Sequence, residues 1–243
     1  GTSIGDNVAM ETGLVVAAAQ PRVVDDDVDA NVASHAESIA RAEARLVVFP
    51  ELSLTGYWLN SLPLEFHRGS LGSLVDACTT TDSVALVGAP VVTDRGRCIA
   101  MVRFDRDGAT VAYCKTFLGG TEHQHFGPGG GPRVIEVDGW QVGMGICRDT
   151  GVEEHVRGTA ALGVDVYACG VVHHETELAE QQRRARSIAE TCQAPVVMAS
   201  FAGPTSGGYA RTTGRSAIWS AGAAVLAEAD NRPGSIARAT LTR

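Results

Sequence analysis

Short apolar runs rich in valine alternate along the chain with longer segments in which apolar residues recur every three or four positions. The runs GLVVAAAQ (13–20) and RLVVFPE (45–51) predict buried strands, because each is short, β-branched and interrupted by a proline at or just beyond its end. Between them, residues 27–46 predict an amphipathic helix that begins after a cluster of acidic residues. This alternation is typical of an α/β protein.

Tight turns interrupt the alternation and change the expected topology. The RDG turn at 106–108 and the Asp-Gly turn at 138–139 each join two apolar runs, which indicates β-hairpins. The other predicted elements are a short helix near 70–78, strands at 83–92, 164–172 and 194–202, helices at 152–162 and 175–193, and a final β pair at 215–229. Because purely doubly wound folds rarely contain several hairpins, we expect mixed sheets with helices outside, in one domain spanning residues 13–243.

Composition and charge narrow the range of partners. The chain has 243 residues and a net charge of −8, which argues against a nucleic acid or an anionic membrane, since both favour a basic surface. No apolar run reaches the roughly 18 residues of a membrane span. The opening segment lacks the pattern of a signal peptide. We therefore interpret residues 1–12 as a tag remnant or a disordered N-terminus, with Met10 as the candidate native start.

The six cysteines are scattered and contain no Cys-x-x-Cys pair. This pattern predicts neither a disulfide framework nor a zinc site, and it favours a reducing, cytoplasmic location. Cys98 opens a predicted strand, so we expect it to be partly exposed. Cys114 should point to the sheet face opposite that of Lys115, because neighbouring residues in a strand alternate.

Three chemically active side chains follow predicted strands: Glu51, Lys115 and Cys147. A thiol with a pKa of about 8.5 is mostly protonated at neutral pH, so a cysteine nucleophile needs a base. A carboxylate, a cation and a thiol together form a complete set for acyl transfer. Each residue also has an ordinary structural interpretation, as a turn acid, a surface lysine and a small core residue. Spacing alone favours these ordinary roles.

The segments around these residues carry a family resemblance. VVFPELSLTGY (47–57), YCKTFLGGTEHQHFGPG (113–129) and GMGICRDTGVEEHVR (143–157) resemble the three signature regions of the nitrilase, or carbon–nitrogen hydrolase, superfamily. Flanking segments extend the resemblance over roughly residues 13–230 in the family's order. The resemblance implies a four-layer αββα sandwich, no metal or organic cofactor, and a homodimer or higher homo-oligomer.

The same resemblance assigns roles to single residues. Glu51 corresponds to the general base, Lys115 to the lysine that steadies the tetrahedral intermediate, and Cys147 to the nucleophile. Glu122 corresponds to a second glutamate that positions the lysine or the substrate. The backbone N–H of Arg148 would be a further oxyanion donor.

The residues after the cysteine favour a small amide as substrate. True nitrilases usually carry Trp-Glu at this point, whereas amidase-like members carry an aromatic residue and then an aspartate. Here Arg148 replaces the aromatic residue and Asp149 agrees with the amidase-like pattern. The candidates for contact with the substrate are Tyr57, Trp58, His125, His173 and His174, together with Arg148.

Other functions stay open from the sequence. Within the enzyme class, the alternatives are a nitrile hydrolase, an N-carbamoyl hydrolase and an acyltransferase that passes the thioester to an amine. The segments EHQH (122–125) and HHETE (173–177) offer histidines and acids to a metal, although zinc sites usually draw on cysteine pairs. A non-catalytic binding protein on the same fold is the remaining alternative.

Overall fold

The computed structural model describes residues 13–66 and 71–243 and forms two six-stranded sheets. The strands are β1 Leu14–Gln20, β2 Leu46–Val48, β3 Val84–Thr93, β4 Gly96–Asp105, β5 Gly108–Cys114, β6 Val134–Val137, β7 Trp140–Ile146, β8 Val166–Val171, β9 Val196–Ser200, β10 Ala217–Trp219, β11 Val225–Glu228 and β12 Ser235–Leu241. The helices are α1 Val28–Ala42, α2 Gly72–Thr81, α3 Glu153–Ala160 and α4 Leu178–Cys192. The interpretation of residues 1–12 lies outside the described residues.

Both sheets are mixed, as the hairpin signals predict. The first sheet has the order β12-β1-β2-β3-β4-β5, with a parallel centre of β1, β2 and β3 and antiparallel neighbours on each side. The second sheet has the order β11-β10-β9-β8-β7-β6, with a parallel centre of β7, β8 and β9. The carboxyl ends of these parallel strands are where loops can present side chains to a common site.

Three apolar layers separate the elements. One layer fills the space between the sheets, with Val16 and Leu46 from the first sheet and Met144 from the second. A second layer packs the first sheet against α1 and α2, and a third packs the second sheet against α3 and α4. Val16 and Ala17 lie in different layers because neighbouring strand residues face opposite sides of the sheet. The predicted four-layer αββα sandwich is confirmed.

One strand, β12, was not predicted from the pattern of apolar residues. β12, with the sequence SIARATL, pairs along its whole length with β1 in antiparallel register and forms the edge of the first sheet. Only two of its seven residues, Ala237 and Leu241, are buried. An edge strand that buries so little carries too weak an alternation to be predicted from sequence.

The cysteine prediction was wrong at one point. Cys98 and Cys114 form a disulfide between β4 and β5, with their Cα atoms 6.0 Å apart. Cys98 is buried and not partly exposed. Cross-strand register brings together two cysteines that are 16 residues apart, which their irregular spacing does not reveal. The cysteine pattern therefore no longer supports a reducing compartment.

Within the described ranges, none of the helices has both the length and the apolar character that crossing a bilayer requires.

Candidate active site

Glu51 lies between the two sheets, three residues beyond the end of β2. Its backbone runs between Gly88 of β3 and Gly170 of β8. A Cβ atom on Gly88 would overlap the carbonyl oxygen of Pro50, and one on Gly170 would overlap that of Phe49. Two glycines on opposite sheets thus leave room for the chain that carries the carboxylate.

Lys115 follows β5 and is buried between two carboxylates. Its Nζ lies 2.6 Å from Glu51 Oε1 and 2.7 Å from Glu122 Oε1. All three side chains are at most 2% exposed, so water screens these charges little. Such a buried cation is tolerated only with good partners, and here it has two.

Glu122 is held by several donors at once. Oε1 accepts a hydrogen bond from the Tyr57 hydroxyl at 2.6 Å as well as from Lys115, and Oε2 accepts one from the backbone N–H of Gly119 at 2.7 Å. Tyr57 was predicted to contact the substrate. Its hydroxyl is held in the site by the hydrogen bond that it donates to Glu122.

Burial and the neighbouring charges shift the pKa values of Glu51 and Lys115. Burial is the largest influence on Glu51 and raises its pKa to about 7; the charge of Lys115 and its hydrogen bond oppose this shift, while the charge of Glu122 acts in the same direction as burial. Burial alone would lower the pKa of Lys115, but the charges of Glu51, Cys147 and Glu122 raise it overall. The lysine is thus a fixed cation, and the glutamate can gain or lose a proton near neutral pH.

Cys147 lies at a strained turn directly after β7. Its φ of 42° is in the left-handed region, which residues other than glycine rarely adopt. The half-buried thiol donates a hydrogen bond to the Val172 carbonyl at 3.4 Å. Burial raises the pKa of the thiol, Glu51 raises it further, and Lys115 opposes this. The cysteine is therefore protonated at neutral pH and needs a base before it can attack.

Asp149 fastens the cysteine turn to the loop that follows β5. This fully buried carboxylate accepts hydrogen bonds from the Tyr113 hydroxyl at 2.7 Å, the Phe117 N–H at 2.8 Å and the Ile146 N–H at 3.0 Å. From the sequence, Asp149 was noted only for its agreement with the family pattern. Its position shows a structural role in holding the lysine loop beside the thiol.

A cavity of about 410 Å³ opens at the thiol and the lysine. Its lining includes the predicted residues Tyr57, Lys115, Glu122, Cys147, Arg148 and His173. It also includes residues that the sequence analysis did not single out, namely Thr121, Val172, Glu177, Arg184, Tyr209 and the three glycines Gly119, Gly120 and Gly207. Arg184 belongs to a basic cluster, QQRRARS, whose pattern is that of a solvent-exposed helix face.

Three of the predicted substrate contacts lie outside the cavity lining. His125 and His174 are both half-buried and are not part of the cavity wall. His174 accepts a hydrogen bond from the Thr176 N–H at the start of the short turn before α4. Trp58 is 42% exposed and is also outside the cavity lining.

The histidine-rich segments do not converge on a metal site in the described structure. Among residues 13–66 and 71–243, no group of three His, Cys, Asp or Glu side chains is arranged to hold an ion. The metal hypothesis therefore has no candidate ligand set in this part of the chain.

Within the αββα sandwich, a buried carboxylate–lysine pair and a cysteine thiol thus meet at one cavity. The sequence model of the family described as carbon–nitrogen hydrolase matches residues 15–243, and the chain belongs to this family.

Solved structures share the whole fold. Nit3 from Saccharomyces cerevisiae, a member of branch 10 of the nitrilase superfamily, superposes with a TM-score of 0.81 at 23% identity over 95% of this chain and 90% of that one. An amidase from Nesterenkonia sp. gives 0.80 at 22% identity over 96% and 91%. XC1258 from Xanthomonas campestris, a CN-hydrolase superfamily protein, gives 0.85 at 15% identity over 95% and 91%.

A curated relative matches over a shorter stretch. The glutamine-dependent NAD(+) synthetase of Aquifex aeolicus is 29% identical over 135 residues, which are 51% of this chain and 24% of that protein. The match thus spans about a quarter of the synthetase's length.

The glycines beside Glu51 give a test of how the carboxylate is positioned. We expect Gly170→Ala and Gly88→Ala to lower the free energy of unfolding by about 1–3 kcal/mol, since each Cβ would force the Glu51 backbone to shift. Urea denaturation measures this. Gly72→Ala is the matched control, because its Cβ would meet no heavy atom within 4 Å. Equal stability of all three variants would contradict the packing argument.

Proposed function

We propose that the protein hydrolyses the C–N bond of a small amide through a thioester on Cys147. Glu51 is the base, and Lys115 stabilises the negative charge that develops on the carbonyl oxygen. The observation that carries this proposal is the buried contact of 2.6 Å between Lys115 and Glu51, at the wall of the cavity into which the thiol opens.

In the first half of the reaction, Glu51 takes the thiol proton as sulfur attacks the amide carbonyl carbon. Oε1 of Glu51 is occupied by Lys115, whereas Oε2 accepts no hydrogen bond from the described residues. Oε2 is therefore the atom suited to receive the proton. Collapse of the tetrahedral intermediate breaks the C–N bond, and Glu51 returns the proton to the departing nitrogen, which leaves as ammonia or an amine.

In the second half, water replaces the leaving group. Glu51, again a carboxylate, removes a proton from water, and the hydroxide attacks the thioester carbon. The C–S bond breaks, the acid leaves, and the thiol regains its proton from Glu51. The net reaction is amide plus water giving acid plus amine, with no cofactor consumed.

Charge stabilisation comes from Lys115 and, in this proposal, from the backbone N–H of Arg148. A lysine ammonium has three donor hydrogens. Two of these serve Glu51 and Glu122, which leaves the third for a substrate oxygen. Removal of one such oxyanion donor typically costs about 10²–10³ in rate.

The lining of the cavity supports a small polar substrate. Tyr57, Arg148, His173, Glu177 and Arg184 give its wall a polar character, and its volume of about 410 Å³ suits a small molecule. In a mutant of the Nesterenkonia sp. AN1 amidase, the acetamide moiety of fluoroacetamide is added covalently at the active-site cysteine. The same reaction class is our proposal here.

Nitriles and N-carbamoyl compounds would use the same thiol, and an acyltransferase would pass the thioester to an amine instead of water. These activities remain the alternatives, as does a binding role without catalysis. A homodimer and a cytoplasmic location also stay predictions. Ammonia release from a panel of amides, nitriles and N-carbamoyl compounds separates the hydrolytic reactions, and amine acceptors reveal acyl transfer.

Cys147→Ala is expected to abolish ammonia release from amides and to leave the fold intact, because no other group forms the thioester. Cys147→Ser should be nearly inactive, since a hydroxyl ionises far less readily than a thiol. Intact-mass measurement should detect an acyl adduct on the unmodified protein and not on the Cys147→Ala protein. Cys192→Ala is the matched control, a free half-buried cysteine outside the cavity. Turnover by the Cys147→Ala protein would rule out the mechanism.

The raised pKa of Glu51 predicts the acid limb of the pH profile. The base acts as a carboxylate, so kcat/KM should rise with pH and level off above about 7, the pKa of this group. Glu51→Gln keeps an oxygen near Lys115 but cannot take a proton, and we expect a loss of about 10²–10⁴ in kcat/KM.

Ammonia release measured from pH 5 to 9 checks both expectations for Glu51. Glu37→Gln, which changes an exposed acid on α1, is the control and should reproduce the unmodified profile. A Glu51→Gln protein with an unchanged profile would show that another group is the base.

A further inference from the structure

His173 places an unpartnered acceptor in the wall of the cavity. The residue lies two positions beyond β8, is 4% exposed, and lines the same cavity as Cys147. The residue before it, Val172, is the one whose carbonyl contacts the nucleophilic sulfur. His173 Nε2 is fully buried, and it finds no hydrogen-bond partner anywhere in the described chain.

The neighbours of His173 fix which nitrogen carries the proton. Gln181 donates through Nε2 to the carbonyls of Gly214 and Arg215 at 3.2 and 3.3 Å, so its Oε1 must face the other way. That oxygen already accepts the Ser200 hydroxyl at 2.8 Å and lies 3.0 Å from His173 Nδ1. An oxygen cannot donate, so Nδ1 must carry the proton.

The ring is neutral in this environment. Burial lowers the pKa of His173 below its usual value, and Arg184 acts in the same direction, while Gln181, Glu177 and Glu180 oppose the shift. A neutral imidazole protonated on Nδ1 has a lone pair on Nε2. The unpartnered Nε2 of His173 is therefore a hydrogen-bond acceptor and not a donor.

A buried acceptor without a partner is unfavourable, and a ligand that supplies a donor relieves this cost. The polar wall continues beyond His173 to Glu177 and Arg184, so the cavity has room for more of a substrate than the amide at the thiol. The scissile nitrogen has its own proton-transfer partner in Glu51. A donor on another part of the molecule is then available to pair with His173.

We propose that His173 is a specificity-determining residue, which accepts a hydrogen bond from a hydroxyl or amino group on the acyl part of the substrate. This inference rests on the proposed amide hydrolysis and narrows its substrate class to amides with a polar acyl chain. The same site discriminates against amides of equal size whose acyl chain ends in a methyl group, because these leave Nε2 without a partner.

The test compares pairs of amides in which a hydroxyl replaces a methyl group: glycolamide with propanamide, and 3-hydroxypropanamide with butanamide. Dissociation constants are measured by calorimetry in the Cys147→Ala protein, where nothing is turned over, and kcat/KM is measured in the unmodified protein. We expect at least one hydroxyl amide to be preferred about tenfold, equivalent to ~1.4 kcal/mol.

Two variants at His173 separate recognition from structure. His173→Asn retains a donor near the Nδ1 position for Gln181 and removes the Nε2 acceptor, and His173→Phe removes both nitrogens but keeps a flat ring. Both should lose the preference, and the loss should appear in KM for the hydroxyl amide and not in its kcat. His123→Phe, at an exposed histidine outside the cavity, is the control.

The outcomes are distinct. A preference that survives both His173 substitutions, an equal loss for both members of a pair, or no preference in the unmodified protein would overturn the inference. Absence of ammonia release from every amide would overturn the proposed function alone if calorimetry still showed a preference that depends on His173. In ¹⁵N spectra, the Nε2 signal should move on addition of the hydroxyl amide and not with its methyl counterpart.

Discussion

The burial of one lysine between two glutamates is the interaction on which the rest of the site depends. Lys115 contacts Glu51 and Glu122 with almost no exposure, so the three charges meet without water to screen them. Burial raises the pKa of Glu51 to about 7, and the negative charge of Glu122 adds to this rise because one cation cannot neutralise two carboxylates. The same arrangement that keeps the lysine charged therefore produces a carboxylate able to exchange protons near neutral pH.

The αββα sandwich brings these side chains together because the ends of their strands lie close to one another. Glu51, Lys115 and Cys147 follow three different strands, two in the first sheet and one in the second. Close approach of the Glu51 backbone to both sheets is allowed only by glycine at 88 and 170. The turn at Cys147 is strained, and Asp149 holds it by bonds to both loops, so packing elsewhere stabilises a conformation that the turn alone would not adopt.

Valine-rich runs and hairpin turns indicated mixed sheets with helices outside. The four layers and the candidate triad came from the family resemblance, because spacing alone favoured ordinary roles for Glu51, Lys115 and Cys147. Sequence reasoning could not reach features made by tertiary packing. β12 buries too few residues to show a pattern, and the Cys98–Cys114 pair depends on strand register. In the sequence, Gln181 is one polar residue among many on the charged helix α4. In the structure, it is fully buried and orients His173. Tyr209 reaches the cavity from a glycine-rich loop that has no periodicity.

The two glutamates of the site differ in how many of their oxygens accept hydrogen bonds, and this difference suits them to different roles. Glu122 has both oxygens engaged, by Tyr57 and Lys115 on Oε1 and by Gly119 on Oε2. Both oxygens of Glu122 are thus engaged as acceptors, and this arrangement suits Glu122 to position Lys115. Glu51 has one oxygen on the lysine and one without a donor among residues 13–66 and 71–243. A free lone pair is what proton transfer requires, so the surrounding donors, and not the residue type, favour Glu51 as the proposed base.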